Sequence, residues 1–266
     1  MDVVRLAIHG AAGRMGKRLV ALSTSDTELE LVAAIEYSEH PDLGRDAGVL
    51  AGVAEAAVPL SSSLDFVSDA VIDFSLPDSA IALCRSCVTH KRPLVLATTG
   101  MTEQQKAEVR AAGQEIPIVW APSMSMAVNL TMKLATLAGR TLKDAPGGTD
   151  VEIVERHHRF KEDAPSGTAI KFGELIAEAM GQTKHQHGRE GQTGRRPRDE
   201  IGYHAMRVGD NPGEHTIIFG LLGETIELTV RASNRDCYAL GALQAAKFIA
   251  NKAAGLYSMY DVLGLE

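Results

Sequence analysis

The stretch that most constrains this chain is residues 3–16, VVRLAIHGAAGRMG: an apolar run, three glycines in GxxGxxG spacing, then Leu19, Val20 and Leu22 at helical intervals. A strand that turns on glycine straight into a helix is the setting of a dinucleotide fingerprint, because the turn aims backbone N–H groups and a helix dipole at a pyrophosphate. Gly10 serves the tight turn, Gly13 the close approach of a phosphate, and Gly16 the packing of helix on strand. Ala12 stands where the commoner pattern has its second glycine. LELVAAI (29–35) reads as a second strand ending on Glu36, twenty positions past Gly16, where an acidic side chain holds a ribose 2′-hydroxyl. Tyr37 follows, where a reader of a 2′-phosphate favours Arg; this leans the reading towards NADH over NADPH, although Arg14 and Lys17 stand near enough to meet a phosphate.

The beat of strand and helix continues to residue 123. AVIDFS (70–75), PLVLATTG (93–100) and PIVWAPS (117–123) read as buried strands, Pro77 as a first helical residue and TEQQ from Thr102 as a helix cap, with residues 40–63 a Gly/Pro/Ser-rich loop. That alternation predicts an α/β fold with a doubly wound parallel sheet. From Met126 the texture changes. Leu130, Leu134, Leu137 and Ala138 mark an amphipathic linking helix, and residues 181–200 a polar, basic loop. HAMRV (204–208), HTIIFG (215–220) and TIELTVRA (225–232) are strands, the last two joined at Leu222-Gly223-Glu224, with Ile226, Leu228 and Val230 forming one buried face. A closing helix, 238–254, carries a Leu243, Ala246 and Ala250 stripe that packs back on the first domain. The expected domains are 1–127 with 238–266, and an α+β domain with a mixed open sheet at 128–237.

The chemistry concentrates in EIVERHHRFKEDAPSGT (152–168), a strand, a polar loop and a helix start whose stripe is Ala169, Phe172, Ile176 and Met180. His157, His158, Lys161 and Asp163 fall within seven positions, just ahead of Ser166-Gly167-Thr168. Two imidazoles and an ammonium beside free helix N–H groups make an anion site with proton donors in it. No metal is expected, since adjacent histidines make a poor zinc pair and neither HExxH nor a cysteine cluster is present. Cys84 and Cys87 form a CxxC two turns inside a helix, so they read as small buried thiols. A net charge of −7 argues against nucleic-acid binding, and with no run of 18 apolar residues no membrane span is expected. Three cysteines and an N-terminus without a basic, then apolar, leader point to the cytoplasm.

With these motifs in order — GAAGRMG, IDFS, ATTGMT, APSMSMAVN, ERHHRFKEDAPSGTA, GEHTIIF and RASNRDCYALGA — the chain resembles the dihydrodipicolinate reductase family over nearly its full length. The resemblance implies a Rossmann-type domain completed by the C-terminal helix and a second domain for substrate binding and homotetramer formation. It implies that Gly10, Ala11, Ala12, Gly13, Arg14, Met15 and Glu36 hold the cofactor, with Ala97, Thr98, Thr99, Ala121, Pro122, Ser123 and Met124 near the nicotinamide. His157 and Lys161 match the family's proton donors, and His158, Ser166, Gly167 and Thr168 the positions that bind a substrate carboxylate. The reaction implied is reduction of 4-hydroxy-tetrahydrodipicolinate, a small dicarboxylate, by NADH or NADPH in lysine and diaminopimelate synthesis. Hydride would reach ring C4, and Lys161 or His157 would protonate the resulting enamine. Ser123-Met124 stands where the family often has Asn-Phe, and Ala127 where it has glycine. Two other readings share the glycine turn: another two-domain dehydrogenase of an anionic substrate, and a non-catalytic NAD(P)-binding redox regulator, which needs neither His157 nor Lys161.

Overall fold

The structure, a computed structural model, describes residues 3–265. The chain divides into two compact units, one running through Met126 and resuming at Arg235, the other Ala127–Asn234.

The first unit alternates as its sequence predicts: β1 (Val4–His9), α1 (Arg14–Ser23), β2 (Leu29–Ile35), α2 (Ala47–Ala51), β3 (Leu60–Ser61), β4 (Ala70–Asp73), α3 (Pro77–Thr89), β5 (Leu94–Leu96), α4 (Glu103–Ala112) and β6 (Pro117–Trp120). These strands are all parallel and lie in the order β3-β2-β1-β4-β5-β6. The order reverses between β1 and β4, the switch point beside which open α/β sheets bind ligands. Every residue of β4 and β5 is buried because helices cover both sheet faces. Two glycines of the first turn are dictated by contact. Gly10 has φ +77°, and a Cβ there would come 2.7 Å from the Phe74 carbonyl oxygen; a Cβ on Gly16 would come 2.1 Å from the Gly10 oxygen. Pro77 and the Thr102–Gln105 capping box open α3 and α4 as expected.

Residues 40–63 are not a plain loop. The Asp46 carboxylate accepts from the backbone N–H of Val49, Ala56 and Val58, which starts α2 and lays β3 beside β2. One capping carboxylate organises the segment, and apolar periodicity carries no trace of it.

The second unit holds α5 (Met126–Leu142, apart from its first residue), β7 (Asp150–His157), α6 (Gly167–Met180), β8 (Lys184–His187), β9 (Glu200–Arg207), β10 (Glu214–Leu221) and β11 (Glu224–Arg231). Its sheet runs β11-β10-β7-β9-β8; β10 is antiparallel to both neighbours, and β7, β9 and β8 are mutually parallel. The sheet is therefore mixed. Ala169, Phe172 and Ile176 form the buried face of α6. Gly173 lets α6 sit against β9, since a Cβ there would overlap the Tyr203 hydroxyl at 1.6 Å.

Three expectations are corrected here. On α5 the inward face is Val128, Met132, Ala135 and Gly139, whereas Leu130, Leu134 and Leu137 are exposed. Two interleaved stripes satisfy the same helical rhythm, and the smaller residues take the tight side. On β11 only Val230 is buried and Ile226 is exposed, because nothing in this unit covers that edge strand. Residues 181–200 contain β8, whose Lys-His-Gln-His sequence has no apolar alternation to announce it. Arg189 and Arg196 then reach back to Glu152; burial opposes that carboxylate, but hydrogen bonds from Arg189, His204 and Arg196 outweigh it and hold its pKa down at about 2.

The chain then returns to the first unit with α7 (Asp236–Ile249), β12 (Gly255–Tyr257) and α8 (Met259–Leu263). Strand β12 pairs in parallel with β6, and Leu243 and Ala246 of α7 join Leu19 of α1 in the core on one side of the sheet.

Candidate active site

The candidate residues fall on both units. On the first, the cofactor set sits at the carboxyl ends of β1, β2, β5 and β6. The turn is stitched to β2: Gly10 and Ala11 donate to the Ile35 carbonyl, and the Ala12 N–H donates to Glu36 Oε2 at 3.1 Å. Glu36 is thus held beside the glycine turn, while Gly13 and Arg14 are exposed at its mouth and Met15 is half-buried. A Cβ on Gly13 would meet only the Gly10 oxygen, at 3.2 Å, so packing alone does not demand glycine there. That exposed position, next to first-turn N–H groups without an intrahelical acceptor, fits a phosphate pressed close to the backbone.

Beyond the switch point, Asp73 is fully buried and accepts from the hydroxyls of Ser75 and Thr98 while facing His9 Nδ1 at 2.6 Å. This carboxylate ties the end of β5 to the end of β1. A cavity of about 230 Å³ opens there, lined by Thr98, Thr99, Met101, Trp120, Ala121 and Pro122. Ala97 is half-buried at its edge of the sheet, and Ser123 is half-buried. Met124 is 1% exposed and packs in the core, and its carbonyl oxygen lies where a Cβ on Gly241 would stand.

On the second unit, strand β7 alternates so that Val151, Ile153, Glu155 and His157 all face inward. The first two fill the core; the next two bring a carboxylate and an imidazole to the strand's end. His157 Nδ1 lies 2.6 Å from Glu155 Oε2. Burial lowers the His157 pKa from its ordinary value, the Glu155 hydrogen bond and charge oppose that, and Lys161 and Arg207 add to the lowering. His158 follows with its N–H on the Asn211 carbonyl and its Nδ1 buried without a hydrogen-bond partner. Lys161 Nζ, a quarter exposed or less, pairs with Asp163 at 2.7 Å and holds that carboxyl below the usual range. Ser166 caps α6, its Oγ accepting from the Ala169 N–H at 3.2 Å.

The Ser166 N–H and hydroxyl are engaged within the unit. The residue is 2% exposed, its N–H goes to Glu155 Oε1, and its Oγ also meets His215 Nε2 at 3.0 Å. What the helix start presents outward is the N–H of Gly167 and Thr168, which have no intrahelical acceptor, and the Thr168 hydroxyl. Sequence reasoning also missed three residues: Glu155, Arg207 and His215. Arg207 clamps Glu155 through both terminal nitrogens at 2.8 Å, and His215, 5% exposed, stacks edge-on against His157. Burial pushes the His215 pKa down to about 4, with His157 adding to the shift, so the ring is neutral near pH 7. The inward parity of Glu155 within β7 was a usable signal. Arg207 and His215 become neighbours only through sheet pairing.

The cysteines are as expected. All three are free, and burial raises the Cys84 thiol to about 11 and Cys87 higher still.

Two family descriptions match this chain: dihydrodipicolinate reductase, N-terminus, over residues 4–124, and dihydrodipicolinate reductase, C-terminus, over residues 127–263. The chain belongs to the dihydrodipicolinate reductase family. A 4-hydroxy-tetrahydrodipicolinate reductase from Rhodopirellula baltica is 58% identical over 99% of this chain and 97% of that protein. One from Syntrophotalea carbinolica is 45% identical over 99% of this chain and 100% of that protein. Among solved structures, a dipicolinate-bound dihydrodipicolinate reductase from Paenisporosarcina sp. TG-14 is 26% identical with TM-score 0.79, covering 97% of this chain and 98% of that one. The resemblance read from the motifs is therefore borne out, as is the fold class of a Rossmann-type sheet plus an α+β unit. Membership in a reductase family favours the enzyme over a non-catalytic regulator.

Proposed function

We propose that this chain catalyses NAD(P)H-dependent reduction of 4-hydroxy-tetrahydrodipicolinate in lysine and diaminopimelate synthesis. The observation that carries this is full-length membership in the reductase family together with an intact HHxxK loop running into the Ser-Gly-Thr helix start. The bound dinucleotide supplies a hydride. Gly10 to Met15 would receive its pyrophosphate and Glu36 its ribose, and the 230 Å³ recess beside Thr98, Thr99 and Ala121 suits a flat ring. Glu36 followed by Tyr37, with no cation at that position, favours NADH.

The second unit does the acid–base work. Gly167 and Thr168 hold one substrate carboxylate at the start of α6, and His158 donates to it. Lys161 and His157 stand beside the ring and protonate the enamine left by hydride transfer, and their positive charge stabilises anionic character as it develops. In the resting state Asp163 keeps the Lys161 ammonium, so an arriving carboxylate competes for it. The free thiols suit a cytoplasmic protein, and the uncovered face of β11 suits assembly of second units into a homotetramer. Among the described residues no helix is long and apolar enough to cross a membrane.

The test is oxidation of NADH and of NADPH, followed at the nicotinamide absorbance, with substrate generated in situ from pyruvate and aspartate semialdehyde by the preceding synthase. Turnover with a higher kcat/KM for NADH is expected. Binding of NADH without turnover would instead make the chain a redox regulator or turn it to another substrate.

A further inference from the structure

Four hydrogen bonds converge on one carboxylate that no sequence motif singled out. Glu155 is 1% exposed; its Oε2 meets His157 Nδ1 at 2.6 Å and Arg207 Nη1 at 2.8 Å, and its Oε1 accepts from Arg207 Nη2 at 2.8 Å and from the Ser166 N–H at 3.0 Å. Arg207 Nη2 also holds the Asp163 carbonyl, and the Asp163 side chain holds Lys161. One residue on β7 is thus linked to the imidazole, to the start of α6 and, through Arg207, to the loop that carries the ammonium. A buried carboxylate with one cation clamped on it is usually a stability device, and replacing such a pair by apolar groups is often neutral. Here the placement argues for more. With Nδ1 turned to Glu155, the working nitrogen of His157 is Nε2, and the facing backbone is Gly213, where a Cβ would lie 2.9 Å from Nε2. One ring nitrogen is tied to the carboxylate and the other faces a glycine, where a side chain would crowd it, and a carboxylate on one nitrogen is how a histidine tautomer is selected.

We infer that Glu155, clamped by Arg207, is the positioning residue of this site: it fixes His157 with Nδ1–H towards itself and Nε2 as the reacting nitrogen, and it anchors the Ser166 end of the anion-binding helix start. This rests on the assignment of His157 and Lys161 to proton transfer. The charged groups around His157 are Glu155 on its own strand, Lys161 and Asp163 on the following loop, Arg207 on β9, and His215 with Glu214 on β10. Glu155, which meets the ring directly, favours its protonation, and Lys161 and Arg207 oppose it through their charge. Losing the carboxylate therefore moves the His157 titration to lower pH and frees the ring to turn.

The decisive experiment pairs E155Q kinetics with nitrogen-15 NMR of the histidine rings in the whole unmodified protein. E155Q is expected to lower kcat about 10- to 100-fold with the NADH KM unchanged, and to shift the alkaline limb of the pH–rate profile, where the His157 proton donor is lost, down by about one unit. In the parent protein His157 should be the Nδ1–H tautomer, and R207K, which keeps the carboxylate, should retain that tautomer with a smaller rate loss. An Nε2–H tautomer in the parent would overturn the inference even if E155Q fails to fold. So would an E155Q enzyme within twofold of the parent with an unmoved pH profile, provided H157N and K161A are impaired. If H157N and K161A themselves turn over normally, the acid–base assignment fails first, and the parent tautomer still judges Glu155.

Discussion

The two units handle polar groups in opposite ways. In the first, the candidate surface is mostly backbone. Gly10, Ala11, Ala12 and Gly13 carry no functional side chain and use their own N–H groups within the turn and against the end of β2; the first-turn N–H groups of α1 have no intrahelical acceptor, and Glu36 is held by a backbone N–H. In the second, the surface is side chains, and they are supported from below by buried Glu155, His215 and Ser166 with half-buried Arg207. On the function proposed above, the difference follows from what each would recognise. A pyrophosphate is a diffuse anion, well met by a helix start and by glycines that let it come close. Protonating a carbon needs a group of defined protonation state at a defined point, which in turn needs neighbours to set orientation and charge.

The contrast is broken most directly at Lys161. K161A should lower kcat about 1,000-fold while NADH affinity, read by fluorescence titration, stays within twofold. A comparable loss of NADH binding would show that the ammonium serves the dinucleotide, and the division of labour would collapse.

Within the first unit, Gly16 and Gly13 should separate stability from affinity. A Cβ on Gly16 lies 2.1 Å from the Gly10 oxygen and 2.5 Å from Ala11 Cα, so G16A forces backbone to move and should destabilise by about 3 kcal/mol. On Gly13 the nearest atom is 3.2 Å away, so G13A should change stability by less than about 1 kcal/mol. Its effect should instead be at least about a tenfold weaker NADH affinity, about 1.4 kcal/mol of binding. Denaturant unfolding and NADH titration on both variants check this; equal effects on both readouts would mean that the turn is only a packing device.

The buried layer of the second unit makes acid sensitivity a local property. His215 titrates near 6.5 when unfolded and near 4 in the fold, so between those values the unfolded chain binds the extra proton. Stability therefore rises with pH across that window, and acidifying from pH 7 to pH 4 removes about 3 kcal/mol through this residue alone. H215Q should flatten that part of the stability–pH curve measured by urea unfolding. A parent curve that is flat from pH 6.5 to 4 would mean that His215 is not buried neutral.

How much of each unit was legible follows the same divide. The glycine turn, the Pro77 start and the Thr102 cap are interactions between residues close in sequence, and Glu36, 24 residues from Ala12, lies at the fixed span of one strand–helix–strand unit, so spacing announces them all. The HHxxK loop is legible for the same reason. What spacing could not supply was distant: Arg207 reaches Glu155 across the β7–β9 pairing, and His215 reaches Ser166 from β10. Helix α5 failed differently, because two faces share one period and only packing decides that Val128 and Met132 go in while Leu130 and Leu134 stay out. The burial of Met124 and Ser166 was not legible either, because a residue can hold its place in a motif and still have its side chain committed to the interior.

The smallest expected effect tests whether recognition in the first unit is as backbone-dominated as it looks. Tyr37 is 55% exposed and its ring packs edge-on against His40 at 5.2 Å, so replacing it should leave stability within about 0.5 kcal/mol. Its position next to Glu36, at the end of β2, is where a 2′-phosphate would be met by a guanidinium. Y37R should raise the kcat/KM ratio of NADPH to NADH about tenfold, or 1.4 kcal/mol, mainly through the NADPH KM. The Glu36 carboxylate remains to repel a phosphate, so the gain should grow when Glu36 is also neutralised, and E36Q/Y37R should exceed the sum of the single changes. If Y37R instead leaves the ratio unmoved, exposed Arg14 and Lys17 already serve any 2′-phosphate, and side chains would then share the recognition that the glycine turn was taken to dominate.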